Sequence, residues 1–360
     1  MTTLLPAQPV LSTSNLTVGY HIPRKSTSAV VEHITVDLLV GELVCLIGPN
    51  GAGKSTLMRT LAGMQAPLAG TIRLMGDDLK SLKPRELARR LSIVLTERVD
   101  VGVLSAYTLV ALGRYPYTGW MGELRPEDEQ VVQQAIAAVG AADLADRNVG
   151  ELSDGERQKI MIARALAQEP VVMLLDEPTA YLDLPRRAEL MAMLRRLARE
   201  TGRAILLSTH DLDLALRNAD RIWLLPKGGS LHVGAPEDLV LSGAFEAAFK
   251  GEGVQFDAYT GAFRSDNLAA GMVDLHGDGL PALWTLRALE REGFCVVRGG
   301  NESAIQIRVS QQVKTTAWQL TFNGIEQITT SLYDLIAVLR EQNIRNAVSE
   351  TNHASSDGSA

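Results

Sequence analysis

Apolar residues in this chain gather in short unbroken runs. Leu43–Ile47, Val171–Leu175 and Ala204–Ser208 are each bounded by polar residues, glycine or proline. Such runs predict strands covered on both faces, as in a parallel sheet. Gln130–Val139, Glu156–Ala167 and Arg186–Glu200 instead space their apolar residues at helical intervals. Strands alternating with helices predict an α/β fold, whose ligands sit beyond the carboxyl ends of the strands. The pattern weakens across the glycine-rich stretch Gly251–Gly261 and then changes. Strands are expected at Gly271–Leu275, Phe294–Arg298, Ala304–Val309 and Thr316–Phe322, with helices over Pro281–Glu292 and Ser331–Arg340. The expected organisation is therefore an α/β domain over residues 1–255, a small C-terminal α+β domain over 264–345, and a flexible tail over 346–360 rich in Ser, Asn and Ala.

Composition narrows the class. With 46% hydrophobic and 21% charged residues, the chain can bury a sizeable core. A formal net charge of -7 without a long basic run argues against nucleic acid as the partner. Cys45 and Cys295 lie far apart in apolar stretches, which suits structural thiols in a reducing compartment. Met1–Val10 lacks the basic-then-apolar pattern of a signal peptide. No apolar run approaches the roughly 18 residues of a spanning helix, so any membrane role is expected to pass through a partner.

The chemistry lies at the strand ends. Gly48-Pro49-Asn50-Gly51-Ala52-Gly53-Lys54-Ser55 follows an expected strand and precedes Thr56–Ala62, which suits a helix. Glycines let the backbone wrap phosphates, and amides at the helix N-terminus add partial positive charge. Lys54 supplies a full charge near the β- and γ-phosphates, and Ser55 a hydroxyl for Mg²⁺. The second run ends in Asp176-Glu177. Adjacent carboxylates at the end of an apolar strand require a compensating cation. Mg²⁺ with ATP provides one, with Asp176 reaching the metal through water and Glu177 acting as general base.

In these motifs the sequence resembles the ABC transporter ATPases, over about Leu11 to Phe249. The phosphate loop with Thr56 is similar to that family's Walker A, and Val172–Glu177 to its Walker B with the catalytic glutamate. Leu152-Ser153-Asp154-Gly155-Glu156 is similar to the signature Leu-Ser-Gly-Gly-Gln. The resemblance implies a P-loop NTPase fold with a helical subdomain, and a homodimer in which each signature closes over the γ-phosphate held by the other subunit. It also implies that Tyr20 stacks on adenine, that Asp183 after Leu182 communicates across the dimer, and that His210 contacts the γ-phosphate. One position departs from the pattern. The family places a glutamine after the strand near Leu91–Leu95, whereas this chain has Thr96 followed by Glu97. Neither reproduces an amide that both donates and accepts, and Glu97 is expected to join the metal site.

Val110–Gly119, with Gly113-Arg114-Tyr115-Pro116, is similar to the corresponding segment in importers of iron–siderophore complexes, haem and vitamin B12. There it lies beside the groove that receives a cytoplasmic helix of the permease. The resemblance thus implies an ATP-hydrolysing importer subunit, peripheral on the cytoplasmic face of the cell membrane. Its partners would be a multi-span permease and, indirectly, a substrate-binding protein. Iron–siderophore complexes are the expected cargo, with haem or cobalamin next. A soluble ABC ATPase without a permease is the alternative of a different class; one phosphate loop and an acidic balance speak against it.

Overall fold

The computed structural model describes residues 9–21, 28–96, 103–119, 122–250, 254–258, 261–265, 270–298, 305–312, 315–322 and 324–341. Glu97, the tail over 346–360 and parts of the expected boundary and of the Ala304–Val309 strand lie outside them. The three apolar runs form strands Leu43–Ile47, Val172–Asp176 and Ala204–Ser208, each buried along its whole length. They are central to a six-stranded sheet ordered His232–Gly234, Arg221–Leu224, Leu43–Ile47, Ala204–Ser208, Val172–Asp176 and Leu91–Val94. Pairing is parallel except at the His232–Gly234 edge. Within the sheet, Cys45 is a buried free thiol, pushed up by burial and then by the charge of Asp220.

A second, antiparallel sheet is built on the 12-residue strand Pro9–Tyr20, which pairs with Ser28–Ile34, Asp37–Leu39 and Ala69–Leu74. Its apolar side shares a core with one face of the parallel sheet: Leu16, Val18 and Ile72 join Leu46, Leu174 and Leu206 there. The other face of the parallel sheet packs with helices Ala106–Ala111, Pro126–Ala138, Asp154–Ala167 and Leu184–Thr201. The last three correspond to the expected helices but start two to four residues earlier, because Pro126, Asp154 and Pro185 occupy first-turn positions that their sequence periodicity does not mark.

The chain divides into two compact units, Met1–Arg264 and Ser265–Ala360. The second is a five-stranded sheet ordered Cys295–Val297, Met272–His276, Ile305–Gln312, Thr315–Phe322 and Ile325–Thr329. Its first three strands are parallel and the rest antiparallel. Helices Gly279–Arg291 and 332–341 cover it over a core of its own, with Leu275, Leu289, Ile307, Leu335 and Leu339. Trp318, buried in that core, donates its indole N–H to Thr285 Oγ1 at 2.7 Å. Arg340 grips Glu292 with two bonds of 2.7 Å, joining the second helix to the end of the first.

Candidate functional site

The carboxyl ends of four parallel strands bring the expected residues together. Leu43–Ile47 leads into the phosphate loop, which closes on helix Lys54–Leu61. Gly53 takes φ 106°, and a Cβ there would lie 2.6 Å from Val30 Cγ1, so both conformation and space demand glycine. Over Gly51 the space is open, with nothing within 4 Å of a built Cβ. Lys54 is only 6% exposed, its ammonium donating to Gly48 O at 2.8 Å and Pro49 O at 3.2 Å. Burial lowers its pKa, opposed by the charges of Glu177 and Asp176. A buried ammonium beside an open backbone cradle, facing two carboxylates, fits a triphosphate with its divalent cation.

Asp176 ends its strand level with Ser208 of the neighbouring strand. Ser208 Oγ donates to Asp176 Oδ1 at 2.6 Å and accepts from the Glu177 amide at 2.9 Å. That hydroxyl therefore holds both acids, a role with no mark in the sequence beyond its place at a strand end. Glu177 itself has φ 49°, a left-handed backbone unusual for a residue with a side chain. The turn brings its Oε1 to 2.5 Å from His210 Nε2. Thr96 does not reach outward as a glutamine would: its Oγ1 donates to Asp176 O at 2.7 Å, fixing the backbone of the acidic strand.

Tyr20 ends the long antiparallel strand, half-exposed, with its hydroxyl 2.9 Å from Thr56 Oγ1 in the phosphate-loop helix. Ser153 caps helix Asp154–Ala167, and Asp183 caps Leu184–Thr201 by accepting from the Arg186 amide at 3.0 Å. Within the chain, Arg147 Nη1 reaches Glu156 Oε1 and Arg186 Nη1 reaches Ser153 Oγ, each at 3.3 Å.

Residues 31–180 match the family described as ABC transporter, and residues 270–340 match the iron ABC transporter C-terminal domain. An uncharacterised ABC transporter ATP-binding protein of Methanocaldococcus jannaschii is 46% identical over 64% of this chain and 78% of its own length. The chain belongs to the ABC transporter ATP-binding proteins. The ferric enterobactin transport ATP-binding protein of Escherichia coli is 38% identical over 65% of this chain and 84% of its own length. A dimeric ATP-binding cassette in a post-hydrolysis state, bound to ADP and Pi, aligns with TM-score 0.54 at 25% identity, covering 63% of this chain and 98% of that chain.

In this ABC ATPase the Gly113–Pro116 element has a structural half and an exposed half. Arg114 is buried and pairs with Asp128 at 2.8 Å and Glu169 at 2.7 Å, while donating to Ala167 O at 2.8 Å. Its guanidinium stacks 3.9 Å from the Tyr117 ring centroid. Tyr115, 77% exposed, flanks a cleft of ≈ 440 Å³ lined also by Pro84, Arg85, Ala88 and Pro116.

Proposed function

We propose that this ABC ATPase powers an importer of iron–siderophore complexes, working as a homodimer on the cytoplasmic face of a multi-span permease that a substrate-binding protein supplies. The juxtaposition of buried Lys54 with Asp176, Glu177 and His210 supports the hydrolytic half of this reading. The observation that carries the cargo is the match of residues 270–340 to the iron ABC transporter C-terminal domain. The ferric enterobactin relative is consistent with it.

Bound ATP with Mg²⁺ would supply the electrophilic phosphorus and a cation that neutralises developing charge. Backbone N–H groups of the loop from Gly48 to Thr56, Pro49 excepted, and the Lys54 ammonium would hold the phosphates, while the Ser55 hydroxyl and, through water, Asp176 would hold the cation. Glu177 accepts the proton of the attacking water at its carboxylate, and His210 keeps that carboxylate in place. Tyr20 offers its half-exposed ring to the base. Ser153, with Asp154, Gly155 and Glu156, closes over the phosphate held by the partner copy, and Asp183 carries the closure between the two sites. Glu97, one residue beyond Thr96, would add a carboxylate to the metal site. The cleft beside Tyr115 receives the permease.

The deciding experiment is purification of the tagged chain from its own cells in mild detergent, followed by reconstitution into vesicles. A retained multi-span protein and ATP-driven uptake of a ferric siderophore are expected. Uptake of haem or cobalamin instead would reassign the cargo. Purification without any membrane protein would favour a soluble ABC ATPase.

A further inference from the structure

The signature of this chain poses an electrostatic problem. Between Ser153 and Glu156 it carries two carboxylates, Asp154 and Glu156. A turn that must approach the triphosphate of a second subunit gains from positive potential and loses from negative charge. Glu156 also occupies Ser153: its Oε2 accepts from the Ser153 amide at 2.8 Å and from Ser153 Oγ at 2.7 Å. Two arginines answer this charge. Arg147 Nη1 meets Glu156 Oε1 at 3.3 Å, on the side of Glu151. Arg186, from the first turn of helix Leu184–Thr201, donates from Nη1 to Ser153 Oγ at 3.3 Å. It lies so close over Gly155 that a Cβ there would be 2.7 Å from Nη1 and 3.1 Å from Cδ.

The start of its helix fixes where Arg186 is rooted, and its Nε lies 3.9 Å from Asp183 Oδ2. Its amide caps onto Asp183 Oδ1 at 3.0 Å. Lys159 and Glu189, paired at 2.7 Å, tie the two helices together one turn further along. Yet its side chain stays 48% exposed, so its guanidinium keeps N–H donors toward solvent. A planar fork of five donors is well suited to phosphate.

We propose that Arg186 makes the acidic signature competent: its guanidinium offsets Glu156, frees the Ser153 hydroxyl, and contacts the triphosphate held by a second copy of this chain. The inference rests on the sandwich dimer proposed above. On arrival of the phosphate, Ser153 Oγ exchanges the Glu156 carboxylate for a phosphate oxygen. Arg186 moves from Ser153 Oγ to bridge Glu156 and that phosphate. A side chain at Gly155 would make the arginine shift from this position.

The test uses the full chain carrying Glu177→Gln, which retains ATP, and reads the ATP concentration for half-maximal dimerisation by gel filtration or light scattering. In that background Arg186→Ala is expected to raise this concentration on the order of tenfold, as loss of a charge-assisted contact does. Arg186→Lys is expected to recover part of the loss, and adding Glu156→Gln to Arg186→Ala to recover most of it. ADP binding to the chain's own phosphate loop and the thermal melt verify folding; Arg186→Gln replaces Arg186→Ala if the latter melts early. Unchanged dimerisation in Arg186→Ala overturns the proposal. A loss that neither Arg186→Lys nor Glu156→Gln relieves also overturns it, since that pattern marks a structural role. If the Glu177→Gln parent stays monomeric with ATP, the sandwich reading fails first and takes the proposal with it.

Discussion

At the scale of single residues, the site depends on groups held in strained or desolvated states. Glu177 sits at φ 49° because Ser208 Oγ takes its amide and His210 takes its carboxylate. A left-handed residue costs on the order of 1–3 kcal/mol, which the surrounding bonds must supply. Glu177→Gln keeps this geometry but removes the proton acceptor. ATP turnover should fall roughly 10²–10⁴-fold while ATP affinity measured by equilibrium dialysis stays within about twofold. Lys54 gives a pH prediction. Burial lowers its pKa against the pull of Glu177 and Asp176, so free protein loses this proton below the ordinary lysine range. Binding of a triphosphate calls for the charged form, so affinity should be full below the lowered pKa and fall as pH rises through it. Lys54→Arg, which stays charged, should bind with no such decline over the same alkaline range.

At the scale of elements, the helices beside the site are joined by ions as well as apolar packing. Arg114 ties the segment before Pro116 to helix Pro126–Ala138 through Asp128 and to the end of helix Asp154–Ala167 through Ala167 O. Asp128 and Arg114 side chains are 8% and 6% exposed. Arg114→Met leaves the buried carboxylate without its cation, and should cost about 3–5 kcal/mol in urea unfolding. Arg114→Met with Asp128→Leu should recover most of that, because an uncharged pair leaves no buried charge. Burial pushes the Asp128 carboxyl up, but the Arg125 amide and Arg114 outweigh it and hold it below the usual range. This contribution is therefore present above the ordinary carboxylate pKa and is lost as pH falls through the lowered one. Acid unfolding of Arg114→Met should show a weaker pH dependence there.

At the scale of the whole molecule, each unit has a core of its own. Among the described residues, the cluster holding Leu275, Leu289 and Leu339 is drawn from the second unit. The phosphate loop, both acids, His210, the signature and Arg186 all belong to Met1–Arg264. A chain ending at Arg264 should thus still fold, with ATP binding within a fewfold of the full chain by calorimetry. Failure of that truncation to fold would mean that the first unit depends on the second for stability. Among the described residues no helix is long and apolar enough to cross a membrane.

The candidate phosphate-binding string stands out in the sequence because phosphate binding is local chemistry. A glycine loop, its lysine and the following helix are contiguous, and acids at the end of an apolar run announce themselves by their desolvation cost. Buried parallel strands were legible for the same reason: each must be apolar on both faces wherever its neighbours lie. The antiparallel strands Pro9–Tyr20, Ser28–Ile34 and Ala69–Leu74 escaped notice, because only half of each strand's residues face the core and its partners are set by long-range register. Tertiary structure alone decided that Ser208 serves Asp176 and Glu177, that Thr96 turns to the backbone, that Arg114 is interior, and that Arg186 lies on Gly155. Each is a hydrogen bond or close approach between residues some 14 to 80 apart along the chain, where local sequence carries no record of which donor will meet which acceptor.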